Sequence, residues 1–386
     1  MRVAIVVDSG TWGGLESHAV GLAQALEEAG DSAVIVCVGK HTADLFQRMI
    51  GGRVEMTTVP SDPKRPAGVR QWRARLRDIV ADGAILEKGT LHTANLALDL
   101  ALRWRFGRRF IAIQQLEPPP LPRRVSRRFL GLPGPALWWH RMRWRGYARS
   151  IFPTKTVCVS DAVRDALADQ YLFRRQDLVT VRHGIDPSVF KPDADLKRET
   201  RRAWGIPETA HVFGSIRRLI FDKGLDTVIA AFAQTRAAQP GRPMYLAIVG
   251  EGPERTALEA EAESLGVRNE VKFVGFTSEP WKAYPAIDVF LLPSRVEALG
   301  VVALEALASG CRVIGSLVGG IPEMIGSPDI GTLVPAGDAA AWATAMTSML
   351  GADSPGEVER RRAYVAEHFD LHQQYKKIAD LLRGHL

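Results

Sequence analysis

The chain has 386 residues, of which 46% are hydrophobic and 24% charged, so it predicts two domains and excludes disordered, collagen-like and disulfide-scaffold proteins. Its net charge of +7 comes from the first half, where residues 1–190 hold 28 basic and 18 acidic side chains against 22 and 25 in residues 191–386. Residues 101–150 hold twelve arginines and one acid. This segment therefore predicts an anionic neighbour.

Short apolar runs alternate with segments of helical periodicity. The first run, at 3–7, is too short for a secretory signal and predicts a strand. A helix-period segment at 16–30 and an apolar run at 32–39 follow it. Strands that are apolar throughout are typical of parallel sheets covered on both faces. After the proline-rich residues 185–193 the pattern restarts, with apolar runs at 211–217, 244–250, 271–276, 288–293 and 311–316.

This alternation predicts an α/β protein of two doubly wound, Rossmann-like domains facing a central cleft, with ligands at the carboxyl ends of the strands. The predicted domains are residues 1–188 and 189–368. Residues 363–386 have apolar side chains at helical spacing and predict one terminal helix. The part of this helix from 369 to 386 either caps the second domain or packs back on the first.

The stretch LLPSRVEALGVVALEALASGCRVIGSLVGGIPEMIG, residues 291–326, is the most informative part of the chain. A predicted strand ends at Ser294, a turn carries Glu297 and Gly300, and a helix contains Glu305. A fully helical span would separate the two acids by ~12 Å, which suits the two ends of a sugar nucleotide. Glu297 would accept bonds from sugar hydroxyls, Glu305 would hold the ribose diol, and the helix N-terminus would face the diphosphate.

This stretch resembles the E-x7-E motif of the family 4 glycosyltransferases, retaining sugar transferases of the GT-B fold. The match extends through PS-x-x-EALG, LEALASG and VGGIPE. The resemblance implies that residues 1–188 bind the acceptor and residues 189–368 bind the nucleotide sugar. It also implies that Ala298, Leu299 and Gly300 contact the donor.

Three further stretches resemble the same family. FGSIRRLIFDKGLDTVI (213–229) is similar to its G-R-L-x-x-x-K-G motif, which places Arg218 and Lys223 on the donor diphosphate, with Arg217 where the family has glycine. A fixed guanidinium and ammonium stabilise the departing diphosphate without a metal. The remaining implied donor residues are Gly13 and Gly14 in the first glycine loop, and Phe273 and Val274, which cup the base through backbone groups.

The acceptor half departs from the family pattern. Where many relatives have a histidine after a first-domain strand, the segment RRFIAIQQLEPPP offers Gln114 or Gln115. His92, in the loop after the preceding strand, is a second candidate for a direct role in catalysis.

Residues 117–149 form a predicted insertion with prolines, an apolar centre and paired arginines. Three interpretations stay open: a contact with an anionic membrane surface, a lid that binds an acidic or phosphorylated acceptor, and a helical hairpin with its tryptophans packed inside. The residues concerned are Arg123, Arg124, Arg127, Arg128, Trp138, Trp139, Arg141, Arg143 and Arg145.

The resemblance implies a retaining, metal-independent hexosyltransferase with no cofactor, since the nucleotide sugar is a substrate. A UDP-sugar is favoured because it is the commonest donor in the family. No residue is placed as a covalent nucleophile, so attack is expected on the front face, with the leaving phosphate oxygen taking the acceptor proton. The expected acceptor is a hydroxyl of a glycan or a lipid-linked sugar, in glycan, glycolipid or cell-surface polysaccharide assembly.

Two other function classes stay open. A GT-B-like sugar-nucleotide epimerase shares the two domains but needs no acceptor. A nucleic-acid-binding protein explains the basic half but leaves Glu297 and Glu305 unexplained, so nucleic acid is not an expected partner. A literal D-x-D at residues 193–195 is interpreted as solvated loop acids rather than a metal site.

The expected location is the cytoplasm, peripheral at the inner face of the membrane if the insertion binds lipid. The sequence contains no run of about 18 apolar residues, so no membrane span is predicted. The three cysteines, Cys37, Cys158 and Cys311, are widely spaced and odd in number, which predicts buried thiols in a reducing compartment.

Overall fold

The computed structural model describes residues 1–7, 14–50, 54–59, 68–88, 96–115, 147, 150–351 and 353–384. Its contacts divide the chain into two compact units, Met1–His183 with His372–Leu386, and Gly184–Leu371. The second unit thus begins five residues before the predicted boundary, and the chain returns to the first unit at His372.

The described residues of the first unit form a seven-stranded sheet in the order β3-β2-β1-β4-β5-β6-β7, parallel throughout. The central strands are buried because their residues are apolar on both faces. The strands are β1 (Arg2–Val7), β2 (Ser32–Val38), β3 (Met56–Val59), β4 (Gly83–Lys88), β5 (Phe110–Gln114), β6 (Lys155–Cys158) and β7 (Leu178–Thr180). The helices between them are α1 (Gly14–Glu28), α2 (Lys40–Ile50), α3 (Val69–Arg75), α4 (Leu96–Phe106) and α5 (Asp161–Tyr171).

The second unit has a six-stranded parallel sheet in the order β10-β9-β8-β11-β12-β13 within the described residues. Its core joins Phe213 of the sheet to Phe232 and Trp342 of two covering helices. The strands are β8 (His211–Ile216), β9 (Met244–Val249), β10 (Val271–Gly275), β11 (Val289–Leu292), β12 (Arg312–Ser316) and β13 (Thr332–Val334). The helices are α6 (Ala194–Ala203), α7 (Leu225–Ala238), α8 (Arg255–Ser264), α9 (Val301–Ala308), α10 (Ile321–Ile325), α11 (Ala339–Ser348) and α12 (Glu357–His368).

The predicted α/β class of two doubly wound, Rossmann-like domains is confirmed, since each sheet is parallel and reverses its strand order beside its first strand. Short 3-10 helices complete the described connections at Gly107–Arg109, Arg175–Asp177, Phe221–Lys223, Pro280–Lys282 and Tyr284–Ala286. All three cysteines are free and buried, as predicted. Across the described ranges, no helix is both long and apolar enough to cross a bilayer.

The prediction of one continuous helix over residues 363–386 is wrong, because the segment forms parts of two helices, the second of which lies within the predicted 369–386. Helix α12 ends at His368 and α13 (Leu371–Arg383) follows it. Between them the backbone pairs with residue 185: Ile185 N donates to Phe369 O at 2.9 Å, and Leu371 N donates to Ile185 O at 3.1 Å. These tertiary bonds take the backbone groups that a continuous helix would use. Helix α13 then packs on the first unit, where the Tyr375 hydroxyl lies 3.4 Å from the carbonyl oxygen of His18.

The interpretation of the D-x-D acids as loop residues is also wrong. Asp193 is the N-cap of α6, and its Oδ1 accepts hydrogen bonds from the backbone N–H groups of Asp195 (3.0 Å) and Leu196 (2.9 Å). Asp195 is ion-paired with Arg198 one turn later. Both acids therefore stabilise the start of a helix.

Candidate functional site

Charged side chains gather at the carboxyl edge of the second sheet. Strands β8 and β11 are neighbours in this sheet, so the loops that follow them start side by side. The loop after β8 carries Arg217, Arg218 and Lys223, and the loop after β11 carries Ser294 and Glu297. The chain thus brings together residues that are more than seventy positions apart in sequence.

One oxygen of the Glu297 carboxylate is held by two close donors. Its Oε2 accepts hydrogen bonds from Lys223 Nζ at 2.9 Å and from Ser294 Oγ at 2.8 Å, and Arg217 Nη2 lies 3.6 Å away. The side chain is 16% exposed, and no donor among the described residues bonds to Oε1. Burial alone would raise the pKa of Glu297, but the charges of Lys223 and Arg217 and the two hydrogen bonds hold it below its usual value.

Lys223 and Arg218 supply positive charge at this edge. Burial lowers the pKa of Lys223, and the neighbouring Glu297 carboxylate offsets part of that effect. Arg218 lies close enough for its charge to lower the pKa of Lys223 further. Its side chain is exposed, and its guanidinium makes no hydrogen bond or ion pair with the described residues. Arg218 is therefore available to an anionic ligand.

Close backbone packing fixes the loop between β8 and α7. At Gly224, where φ is +64°, a Cβ would lie 2.1 Å from the carbonyl oxygen of Pro293. At Gly250, where φ is +139°, a Cβ would lie 1.9 Å from the carbonyl oxygen of Arg217. Only glycine fits at either place, so the loop has little freedom to move its cations.

Helix α9 begins directly after the Glu297 turn, at Val301. Its N-cap is Gly300, with φ at +95° and no capping side chain. Ala298 and Leu299 are buried, so a donor would meet their backbone rather than their side chains. The sequence predicted them, with Gly300, as donor contacts.

Glu305 lies one turn inside α9, and its Oε2 accepts a hydrogen bond of 2.5 Å from the Tyr284 hydroxyl. Burial raises the pKa of Glu305 to about 7, although this hydrogen bond acts in the opposite direction. Glu305 is an acid within the apolar run VVALEALA, and Tyr284 supplies it with a hydrogen-bond partner inside the protein. Contact with a ribose stays a prediction.

The predicted base-binding residues lie on β10. The carbonyl oxygen of Phe273 is 3.4 Å from the Arg255 guanidinium, and its ring packs against the core. Val274 is 36% exposed. Phe276, immediately after the strand, is 75% exposed and was not predicted. An aromatic residue just past the end of a strand was the signal that could have found it.

A second polar cluster lies at the carboxyl edge of the first sheet. Glu87 lies near the end of β4. Its Oε2 accepts a hydrogen bond from Gln115 Nε2 at 2.7 Å, and its Oε1 lies 2.9 Å from His18 Nδ1. The imidazole of His18 stacks on His183, with ring centroids 4.2 Å apart, and the Tyr375 ring meets it edge-on. Burial, together with the charge of His18, lowers the pKa of His183 well below its usual value.

The sequence predicted Gln115 here but missed Glu87 and His18. Glu87 is a single acid inside the largely apolar strand GAILEK, and this placement is a signal that could have found it. Gln114, the alternative, is buried at the end of β5. Gly14 begins α1. The other predicted residues of this unit lie outside the described residues: Gly13, His92, Arg123, Arg124, Arg127, Arg128, Trp138, Trp139, Arg141, Arg143 and Arg145.

A cavity of about 650 Å³ lies at the opposite, amino edge of the second sheet. Its lining includes Asp288, which accepts from Lys197 (2.7 Å), Arg201 (2.7 Å) and the backbone of Val212 (2.8 Å). Because these charges are already paired, this cavity is a weaker candidate for the functional site than the carboxyl edge. In the described part of the chain, no three His, Cys, Asp or Glu side chains are grouped to hold a metal.

Two family models match the chain. Residues 12–189 match the model described as Glycosyltransferase Family 4, and residues 197–367 match Glycosyl transferases group 1. Together the two matches span most of both units and leave out residues 1–11, 190–196 and 368–386.

Curated relatives match over about half of their own length. The 2-deoxystreptamine N-acetyl-D-glucosaminyltransferase of Streptomyces fradiae is 35% identical over 46% of this chain and 41% of its own. The GDP-mannose-dependent alpha-(1-6)-phosphatidylinositol monomannoside mannosyltransferase of Mycolicibacterium smegmatis is 33% identical over 52% of this chain and 55% of its own. Among solved structures, Anabaena Alr3699/HepE in complex with UDP and glucose aligns over 100% of both chains, with a TM-score of 0.78 and 19% identity, and so shares the fold.

Proposed function

We propose that this chain, which belongs to the family 4 type of glycosyltransferases and has the GT-B fold, moves a hexosyl group from a UDP-sugar to an acceptor hydroxyl with retention of configuration. The observation that carries the proposal is the cluster of Arg218, Lys223 and Glu297 beside the start of α9. It combines positive charge for a diphosphate with a carboxylate for a sugar.

The donor diphosphate binds to Arg218, Lys223 and the first N–H groups of α9 in this proposal. When the glycosidic bond breaks, the nucleoside diphosphate gains negative charge, and cations already fixed in place stabilise that charge. Lys223 is 19% exposed and held by Glu297, while the Arg218 guanidinium is unpaired among the described residues. These two side chains can neutralise the leaving group in the role that a metal ion takes in other transferases.

Glu297 binds the transferred sugar. Because Oε2 is occupied by Lys223 and Ser294, Oε1 is the oxygen left to accept bonds from sugar hydroxyls. The lowered pKa keeps the carboxylate ionised, and an ionised acceptor forms the stronger hydrogen bond.

The reaction is a front-face substitution. The acceptor oxygen bonds to the anomeric carbon on the side from which the phosphate departs, the carbon–phosphate oxygen bond breaks, and that phosphate oxygen takes the acceptor proton. Atoms and charge balance without a covalent enzyme intermediate. The role of the described side chains is to hold both substrates and stabilise the diphosphate.

The acceptor side belongs to the first unit in this proposal. Its described polar cluster of Glu87, His18 and Gln115 is paired internally, which suits an uncharged hydroxyl acceptor rather than a second anion. A lipid-linked acceptor agrees with the name of the Mycolicibacterium smegmatis relative, whereas the Streptomyces fradiae relative is named for 2-deoxystreptamine. Residues 117–149 would contact that acceptor or an anionic membrane surface from the cytoplasmic side.

The test is a screen of UDP-, GDP-, ADP- and dTDP-sugars by thermal shift, followed by product analysis with added glycan and lipid acceptors. A UDP-sugar should raise the melting temperature with concentration and yield a glycosylated product in which the anomeric configuration is retained. A donor consumed without any glycosylated product would indicate an epimerase and overturn the proposal. Sedimentation with anionic liposomes at low and raised salt tests the membrane contact separately.

A further inference from the structure

We propose that Arg217 is a positioning residue for Glu297, holding Oε2 of that carboxylate so that Oε1 is presented to the bound sugar. This inference rests on the proposed function for its consequence in catalysis. In the related motif, glycine stands at this position, so the device belongs to this chain rather than to the motif.

The Arg217 guanidinium is enclosed at the carboxyl edge of the second sheet. Its side chain is 4% exposed. Nη1 donates to Ser294 Oγ at 2.9 Å and to the carbonyl oxygen of Lys223 at 3.1 Å, and Nη2 lies 3.6 Å from Glu297 Oε2. Arg217 therefore contacts each of the two residues that donate to Glu297, as well as the carboxylate itself.

In this arrangement Arg217 positions both residues that donate hydrogen bonds to Glu297. The Ser294 hydroxyl has one proton and gives it to Glu297 Oε2, so its oxygen is free to accept from Arg217. The Arg217 bond to the Lys223 carbonyl ties the end of the loop from which Lys223 Nζ reaches the same Oε2. Removing Arg217 would loosen both donors at once.

Burial makes a purely structural role for this side chain costly. Burial lowers the pKa of Arg217, and its Nε has no hydrogen-bond partner in the described part of the chain. An apolar side chain of similar length would fill the space without burying a charge. The guanidinium is therefore best explained by what it does to the charge and direction of Glu297.

The charged and titratable groups around Glu297 come from three elements. Arg217 and Lys223 act on it from the loop after β8, and Arg218 acts on it through Lys223. The Tyr284 hydroxyl, which is bonded to Glu305, acts electrostatically on Arg217 and raises the pKa of its guanidinium, against the effect of burial. With Arg217 removed, Lys223 is the cation among the described residues that still acts directly on Glu297.

The experiment measures the titration of Glu297 and the pH dependence of transfer in the same variants. Carboxyl ¹³C resonances of glutamate-labelled protein are recorded from pH 3 to 8, with Glu297→Gln to assign the signal. Arg217→Met should raise the Glu297 midpoint by about one unit, and Arg217→Lys should restore part of the shift. The acidic limb of kcat/KM should move in the same direction, and kcat at pH 7 should fall about tenfold through lost orientation while KM for the donor changes less.

Arg198→Met is the matched control, because it removes one exposed arginine that contacts Asp195 and not the site. It should leave the Glu297 midpoint unchanged. A midpoint in Arg217→Met equal to that in Arg198→Met overturns the inference. If Arg217→Met does not fold, Arg217→Gln removes the charge while keeping an amide donor for Ser294, and it is judged by the same criterion. A wild-type chain that transfers no sugar overturns the proposed function, while the titration still decides the role of Arg217.

Discussion

The two sheets have corresponding strand orders, yet their carboxyl edges differ in charge and closure. In the second unit, Glu297 lies among the cations Arg217, Arg218 and Lys223, and the Arg218 side chain is exposed. In the first unit, the Glu87 side chain is 0% exposed, and both of its oxygens are paired, with His18 and Gln115. The parallel topology thus determines where polar groups gather, while the residues there determine which ligand each edge can accept.

The largest expected effect follows from removing a cation at the carboxyl edge of the second sheet, called the open edge here because Arg218 is exposed there. Lys223→Ala should lower kcat/KM roughly 100-fold to 1,000-fold, because the diphosphate loses a fixed charge and Glu297 loses a donor. Steady-state kinetics with the donor identified by the screen measures this loss. Lys282→Ala, which removes an exposed lysine paired with Glu279, should leave the kinetics within twofold. A Lys223→Ala enzyme as active as Lys282→Ala would contradict the diphosphate assignment.

Breaking the buried polar cluster at the carboxyl edge of the first sheet should lower stability and have little effect on donor binding. Glu87→Gln replaces the buried carboxylate that meets His18 and Gln115 with an amide, and the free energy of unfolding should fall by about 2 kcal/mol because one of these buried hydrogen bonds is lost. Urea unfolding at pH 7 measures the change. Glu55→Gln, at an exposed pair with Arg2, should cost less than about 0.5 kcal/mol. Equal losses in the two variants would show that the buried pair has no special weight.

Glu305, the buried acid in α9, should give a pH effect of intermediate size. Because the pKa of Glu305 is raised to about 7, the folded chain keeps a proton that the unfolded chain has already lost. The free energy of unfolding should therefore fall as pH rises from about 5 towards 7, and level off above about 8. Donor affinity should rise over the same range, since the ionised carboxylate is the better acceptor for a ribose diol.

Thermal unfolding and donor titrations from pH 5 to 9 measure both trends. Glu305→Gln does not titrate and should remove them together. Wild-type and Glu305→Gln curves that run parallel would indicate that another group titrates in this range.

The smallest expected effect concerns the nucleotide base. Phe276 presents an exposed ring just past β10, and stacking of the base on that ring would contribute to affinity. Phe276→Ala should weaken UDP binding about fivefold, measured by calorimetry. Val80→Ala, at an exposed position in the first unit, should leave UDP binding unchanged. Identical affinities in the two variants would place the base elsewhere.

Local patterns predicted the fold class and part of the open edge. Alternating apolar runs and helical segments were enough for two parallel sheets, and two separate motifs pointed to Glu297 and Lys223, which meet at 2.9 Å. A motif reports residues whose spacing along the chain is fixed. The positions of Arg217 and Ser294 around Glu297 depend instead on two neighbouring strands and on glycine packing at Gly250.

Long-range contacts account for what the sequence could not predict. His18 and Glu87 are 69 residues apart, and neither has a neighbour in sequence that predicts their contact. The break between α12 and α13 has the same kind of cause, because helical periodicity continues through residues 369 and 370 and the pairing with Ile185 interrupts it. Helix and strand propensities describe a segment in isolation, whereas these features depend on contacts with distant parts of the chain.

Helix α13 gives the first unit an unusual place in the order of synthesis. Residues 184–371 are continuous and can close their own core as soon as they leave the ribosome. The first unit is made earlier but waits for α13, whose Tyr375, Ile378 and Leu382 are buried. The nascent first unit therefore carries an uncovered apolar face until α13 has been made. The part of the chain that is begun first is the last to be finished.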